Sequence, residues 1–394
     1  MFIERRCAMR AVCSLAGIGA VALLVLAAPL ARPASPPLAV DRLGAVATLP
    51  AASPHWVWVN DVVFPHMTDG QALLIDGDSG QFLGMLSTGF GFSRIVLPRS
   101  GEVIFSPETY FSRGTRGERT DVVTLYDSRS LLPLEEIAIP AKRSSNLPMM
   151  SNIDLTDDDR FLLIYNFNPA QSVTVVDTRT RKFVGEIETP GCALVYPTGP
   201  RSFFSICADG ALLDVQLDDS GHAARQQRTG AVFDVAADPV TEKGVRVGNS
   251  WIFVSFGGTF YPVTITANGL VAGARWPLLT ATDRSQNWRP GGLQQLAVHA
   301  GLNRIYSIMH QGPVESHKDP GKEVWVYDLA RKMRIQRIAL KNIASSIQTT
   351  RDEKPLLFAA FMDATTTDVY DAETGEHKRS IENIGTTPSL LVTP

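Results

Sequence analysis

The 394-residue sequence predicts an all-β fold, a seven-bladed β-propeller. Three observations carry that expectation: a hairpin motif that recurs at blade spacing, an apolar strand ahead of most copies, and a near absence of helix-period segments.

The hairpins come first. "LLIDGDSGQFLGML" (73–86) and "DVYDAETGEHKRSI" (368–381) share a strand, an Asp, a Ser or Thr three positions on, a Gly and a second strand. Looser copies begin at 123 ("VTLYDSRSLLPLEEIAI"), 173 ("VTVVDTRTRKFVGEI"), 212 ("LLDVQLDDSGHAARQQ"), 262 ("PVTITANGLVAGARW") and 324 ("VWVYDLARKMRIQRI"). The equivalent positions are Asp76, Asp127, Asp177, Leu217, Ile265, Asp328 and Asp371, separated by 40 to 63 residues, which is the length of a four-stranded blade. The recurring Asp suits a turn in which its carboxylate accepts backbone N–H groups. "DGDSG" does not read as a calcium loop, because Gly80 and Ser87 stand where ligands belong.

The inner strands come next: "HWVWVND", "RFLLIYNF", "RSFFSIC", "SWIFVSF", "NRIYSIM" and "PLLFAAFM". One small sheet cannot cover both of its faces, whereas sheets stacked in a ring cover each other.

Ahead of the repeats, Arg5, Arg6 and Arg10 precede an apolar run from Ala11 to Leu30 and the small-residue stretch "ARPAS". This reads as an export signal over residues 1–34, with a single propeller domain over 35–394; an uncleaved membrane anchor is the competing reading. The Arg5-Arg6 pair is compatible with the twin-arginine route. Removing the leader takes the net charge from −3 to about −6. That balance argues against nucleic acid, whose binding depends on a basic surface. Cys7 and Cys13 leave with the leader, so Cys192 and Cys207 remain. In an exported chain they are most simply a disulfide; a metal site lacks further thiol or nearby imidazole ligands.

Catalytic vocabulary is sparse. The chain has no G-x-S-x-G, H-E-x-x-H, P-loop or C-x-x-C motif, and no metal site is assigned. His310 and His317 are close in sequence, within "HQGPVESHKDP", and read as a surface loop before they read as ligands. "RGTRGERTD" (113–121) offers Arg113, Arg116, Glu118 and Arg119 either to a partner or to solvent. Phe64, Phe90, Phe92, Tyr110 and Phe111 sit in or beside early loops, where core packing accounts for most aromatics.

Several longer stretches carry a family resemblance. "YFSRGTRGERTDVVTLYD" (110–127), the two cysteines in "GCALVYPTGPRSFFSICADGAL", "NWRPGGLQQLAVHAGLNRIY" (287–306) and "SHKDPGKEVWVYD" (316–328) together resemble the heavy subunit of the bacterial quinoprotein amine dehydrogenases, over nearly the whole mature chain. The early and middle blades resemble the aromatic amine enzyme more, while "WRPGGLQQ" is similar to the methylamine enzyme. The resemblance implies that this chain holds no cofactor of its own. Tryptophan tryptophylquinone would lie in a small, cysteine-rich light subunit, with two heavy and two light subunits per assembly. Primary amines, aromatic ones favoured, would become aldehydes in the periplasm. Electrons would pass to a blue-copper protein of the azurin or amicyanin type. Phe64 corresponds to a phenylalanine at the mouth of the substrate channel, with blade packing as the alternative.

The 63-residue gap between Ile265 and Asp328 is the longest of the six and contains "NWRPGGLQQ". Extra loop length on a propeller commonly serves binding. Trp288 and Arg289 are residue types favoured at interface hot spots, and Gly291 and Gly292 permit close backbone approach. Trp288, Arg289, Gly291 and Gly292 are therefore expected to dock the light subunit, with a structural turn as the alternative. Two other functions compete: a stand-alone periplasmic binding propeller, and a propeller hydrolase such as a lactonase, for which no axial constellation is evident.

Overall fold

Strands Phe161–Asn166 (FLLIYN) and Ser172–Asp177 (SVTVVD) are buried at every position. A strand buried on both faces has a sheet packed on either side, which is why these runs are apolar almost continuously instead of alternating. The next strand of the same unit, Lys182–Glu188, is largely uncovered, and its counterpart Ala223–Arg228 (AARQQR) is exposed throughout. Burial thus falls toward the outer edge of each unit, where charged side chains blunt the unpaired edge.

The computed structural model describes residues 47–394; the leader expected at 1–34 lies outside the described residues. Strands pair in antiparallel meanders, and the hairpins read from the sequence, such as Gly70–Asp76 with Phe82–Gly89 and Thr367–Asp371 with His377–Ile381, form the outer half of each. The longest sheet has seven strands but is continuous only through one parallel pair, Gly89 with Thr109. Divided there, the strand order gives seven consecutive units.

Apolar clusters lie between units rather than within them. Phe161, Leu163 and Val175 of the third unit pack with Val195, Phe203 and Val215 of the fourth. Val57, Val59 and Ile75 of the first pack with Phe358 and Val369 of the seventh, which closes the ring. The last strand, Pro388–Val392, pairs with the first, Trp56–Asp61, so both ends of the described chain share one sheet. Gln294 reinforces the closure from the sixth unit: its Nε2 donates to Leu391 O at 3.0 Å and its Oε1 accepts from Leu391 N at 2.8 Å.

The meander order gives the ring two unlike faces. One carries the hairpin turns. There Asp127 Oδ1 accepts from Arg129 N and Ser130 N at 3.1 and 2.7 Å, and Asp371 Oδ1 accepts from Glu373 N and Thr374 N at 3.0 and 2.8 Å. The opposite face carries the connections between units and the loops between second and third strands, and it is there that lengths vary. Among the described residues the one α-helix, Ala281–Ser285, lies in such a connection.

Candidate functional site

On the connection face, the short 3-10 segment Phe64–Asp69 follows the first strand. Its position is set by Asp61, a buried carboxylate that accepts from Val63 N at 2.8 Å, Thr386 N at 2.5 Å and Thr387 N at 2.8 Å. Phe64 N donates to Thr387 Oγ1 at 3.0 Å. Val63 is held at φ 48°, a left-handed conformation that a β-branched residue adopts only under constraint. The outcome is a Phe64 side chain that is 60% exposed instead of packed into a blade.

Phe64 stands among other uncovered apolar groups on this face: Tyr110, Leu147, Phe167, Val235 and Val314. Gly91 N donates to Met67 O at 2.9 Å and the Phe90 and Phe111 rings meet edge to face at 5.1 Å, so the first connection is tied to both the Phe64 segment and the second unit. The hairpin of that unit, Val103–Arg113 with Arg116–Asp127, is the longest among the described residues. Its base is polar and internal. Glu108 is fully buried and accepts from Tyr110 Oη at 2.6 Å, Thr124 Oγ1 at 2.7 Å and Tyr126 Oη at 3.0 Å; burial outweighs these bonds and pushes its carboxyl pKa up. Arg119 makes a bidentate pair with Asp121 at 2.8 and 2.7 Å, and buried Arg143 donates to Phe92 O and Phe90 O, its pKa pushed down to about 10 by burial. Arg119 is thus used inside the chain, whereas Arg113, Arg116 and Glu118 remain exposed at the tip.

The segment "NWRPGG" is not a free loop. Trp288–Pro290 is a strand paired with Gln311 to Met309, and Trp288 is only 9% exposed, 5.0 Å from the Trp325 ring with the Arg337 guanidinium over it. A Cβ on Gly291 would meet Asp319 O at 2.5 Å and the His310 ring at 2.6 Å. Gly292, at φ 112°, would meet Ser345 O at 2.5 Å. The close approach anticipated at these glycines is therefore met within the sixth unit and its seventh-unit neighbour. Arg289 is half-buried, donating to Trp288 O at 3.0 Å, and sits at the edge of the connection face.

Other sequence candidates separate in space. His310 Nε2 pairs with Ser316 Oγ at 2.7 Å, while His317 stacks on Phe256 at 3.9 Å; burial lowers both pKa values. Among the described residues no group of three or more His, Cys, Asp or Glu side chains is placed to hold a metal ion. Cys192 and Cys207 face each other across adjacent strands and form a disulfide. The residues that sequence reading missed are Asp61, Val63, Glu108 and Arg143. Asp61 reaches partners more than 320 positions away, and no local signal marks it.

Residues 54–394 match the family model described as methylamine dehydrogenase heavy chain. The methylamine dehydrogenase heavy chain of Paracoccus versutus is 32% identical over 346 residues, covering 87% of this chain and 80% of that one. That of Methylophilus methylotrophus is 29% identical over 348 residues, covering 88% and 85%. Among solved structures, the periplasmic gluconolactonase of Pseudomonas aeruginosa superposes with a TM-score of 0.59 at 14% identity, over 86% of this chain and 99% of that one, a likeness of fold alone.

Proposed function

The chain belongs to the methylamine dehydrogenase heavy chain family, and on that premise we propose that it is the heavy subunit of a periplasmic, tryptophan tryptophylquinone-dependent dehydrogenase of primary amines. In this reading, residues 35–394 are one seven-bladed domain behind a cleaved leader. Two heavy and two light subunits assemble, and electrons leave to a blue-copper protein of the azurin or amicyanin type.

The observation that carries the reading is the placement of Phe64. A large apolar side chain held outward by a buried carboxylate and a left-handed valine, on the face where other apolar groups are uncovered, suits a surface that is covered on assembly. A quinone held by the light subunit would supply the electrophilic carbonyl and accept the two electrons released, with two protons, as amine and water become aldehyde and ammonia. The heavy chain supplies position. Docking over the connection face encloses the amine's path while leaving access for the one water that the products require, and Phe64 lines the mouth through which the amine passes. The hairpin tip with Arg113 and Arg116 and the edge with Arg289 frame the docking surface, and Trp288, Gly291 and Gly292 hold that edge in shape. Aromatic amines are favoured over methylamine, a preference supported by the early-blade resemblance and by the Phe90, Tyr110 and Phe111 cluster beside the Phe64 segment.

Amine-dependent dye reduction tests the assignment. The chain purified alone is expected to be inactive and colourless, gaining activity on addition of the light subunit. Its kcat/KM is expected to be higher for 2-phenylethylamine than for methylamine. Activity in the isolated chain would overturn the division of labour, and purification from the native host with no small partner would favour a stand-alone binding propeller.

A further inference from the structure

On the face that carries the hairpin turns, a cavity of about 700 Å³ runs from the boundary of the first and second units toward the ring axis. Part of its wall is apolar: Trp56, Trp58, Leu74 and Ile104, which belong to the core packed between those two units. The two indoles are 6% and 3% exposed, and among the described residues neither indole N–H meets an acceptor, whereas that of Trp251, a third lining indole, donates to Pro197 O at 2.8 Å. Buried indoles ordinarily find such a partner.

The rest of the wall is charged. Five arginines stand against four side-chain carboxylates, an excess of one positive charge among the lining side chains. Arg94 lies 3.6 Å from Asp154, Arg246 pairs with both oxygens of Asp157, and Arg99 is fixed through its backbone N, which donates to Asp159 Oδ2 at 2.7 Å. Arg129 donates to Leu49 O at 3.2 Å. Arg351 differs from all four: it is exposed, and among the described residues its guanidinium makes neither a hydrogen bond nor an ion pair, acting on Asp154 only from beyond that range. Ring closure brings Arg351 toward the indoles. Trp58 pairs with Val392, and Thr393 Oγ1 donates to Thr349 O at 3.0 Å, two positions before Arg351.

We propose that this cavity binds a small organic monocarboxylate with an aromatic body, its ring against Trp56 and Trp58 and its carboxylate on Arg351. An apolar wall with a few polar groups, in a space of roughly 300–1,000 Å³, is the usual make-up of a small-molecule site. One negative charge matches the excess, and a planar guanidinium offers the paired N–H groups that a carboxylate accepts. An uncharged arene would leave Arg351 unanswered, and a small inorganic anion would leave the indoles uncovered. The bound acid touches the first and seventh units together, so it reinforces the ring closure. It sits on the face opposite Phe64 and stays reachable when a partner covers the connection face.

The test uses the protein as purified, in its assembled form, with naphthylacetate as the probe. Calorimetric titration should give saturable heat at one site per chain, with a melting temperature that rises with the logarithm of probe concentration. Naphthylethanol, which lacks the charge, and acetate, which lacks the ring, should each bind more weakly by about tenfold or more. Arg351→Gln, at an exposed residue, should weaken naphthylacetate binding by a similar factor, toward that of the alcohol, with an unchanged circular dichroism spectrum. The probe series is read on the parent protein, so it tests the two-part recognition independently of any substitution. Absence of saturable heat, equal affinity for the alcohol or for acetate, or parental affinity in Arg351→Gln overturns the site.

Discussion

Replacing Phe64 by alanine separates a docking residue from a packing one, because the two roles move different measurements. With 60% of its surface uncovered and about 200 Å² on a phenylalanine side chain, about 120 Å² is free to be covered by a partner. At about 25 cal/mol per Å² that burial is worth about 3 kcal/mol, or roughly a hundredfold in the assembly constant. The same residue contributes little to the isolated chain, so Phe64→Ala should change the free energy of urea unfolding by less than about 0.5 kcal/mol, the range of ordinary surface substitutions. Light-subunit binding measured by surface plasmon resonance should fall by one to two orders of magnitude, since truncation at an interface seldom realises the full area term. Within the residual assembly, the ratio of kcat/KM for aromatic and small amines should shift. A variant that loses about 3 kcal/mol of its own stability, the usual cost of emptying a core phenylalanine site, yet assembles normally, would refute the reasoning and return Phe64 to blade packing.

Three further substitutions test the edge of the same face and the ring closure. Trp288→Ala removes a buried ring that touches Trp325 and should cost the isolated chain about 3–5 kcal/mol in urea unfolding; Arg289→Ala should leave that stability intact and weaken assembly alone, and the reverse pattern would make Trp288 the contact residue. His55 lies between Asp78 at 2.7 Å and Asp352 at 3.1 Å, joining the first and seventh units. Burial, the largest single influence, lowers its pKa, but the two carboxylates together outweigh it and the net shift is upward. The protonated imidazole is therefore favoured by folding. Its stabilisation is complete below about pH 6.5, the unfolded value, and is lost as pH rises through the higher folded value. The stability gap between parent and His55→Gln should narrow over that rise, and a gap independent of pH would remove the ion pairs from the closure.

What the sequence made legible was local in its physics. Asp127, Asp177 and Asp371 each accept backbone N–H groups two and three positions on, so turn chemistry and strand pattern lie within one short window. In the fourth copy the repeat aligns Leu217, while the turn carboxylate is its neighbour Asp218, which accepts from Ser220 N and His222 N. The illegible part depends on pairing over long distances. Trp288 looks like an exposed hot spot until Gln311 is known to lie opposite it. "TYFSRGTRGERTD" looks like a charged loop because its tip is one, while Glu108 and Asp121 just below the tip are buried by units that the local sequence does not reveal.

The division between the two faces follows from what each has to do. A turn within one hairpin closes over a fixed distance in every unit, and seven copies of one problem have similar solutions, hence the repeated Asp and Gly. A connection leads from the outer edge of one unit toward the middle of the next, and its length and path are free once the inner strand is reached. Variation in length and, among the described residues, the one α-helix accordingly collect on the connection face, along with Phe64, Tyr110, Leu147, Phe167, Val235 and Val314, while other exposed apolar side chains such as Phe82 and Met333 lie on the outer strands. Phe64 joins that freedom to the most constrained point of the fold. Asp61 holds the Phe64 segment and also accepts from Thr386 N and Thr387 N, which lead into the last strand, so the exposed Phe64 rests on the same carboxylate that seals the ring. If Phe64 docks a partner as proposed, a side chain supported in this way keeps its position beforehand, and its binding need not include the cost of ordering a loop.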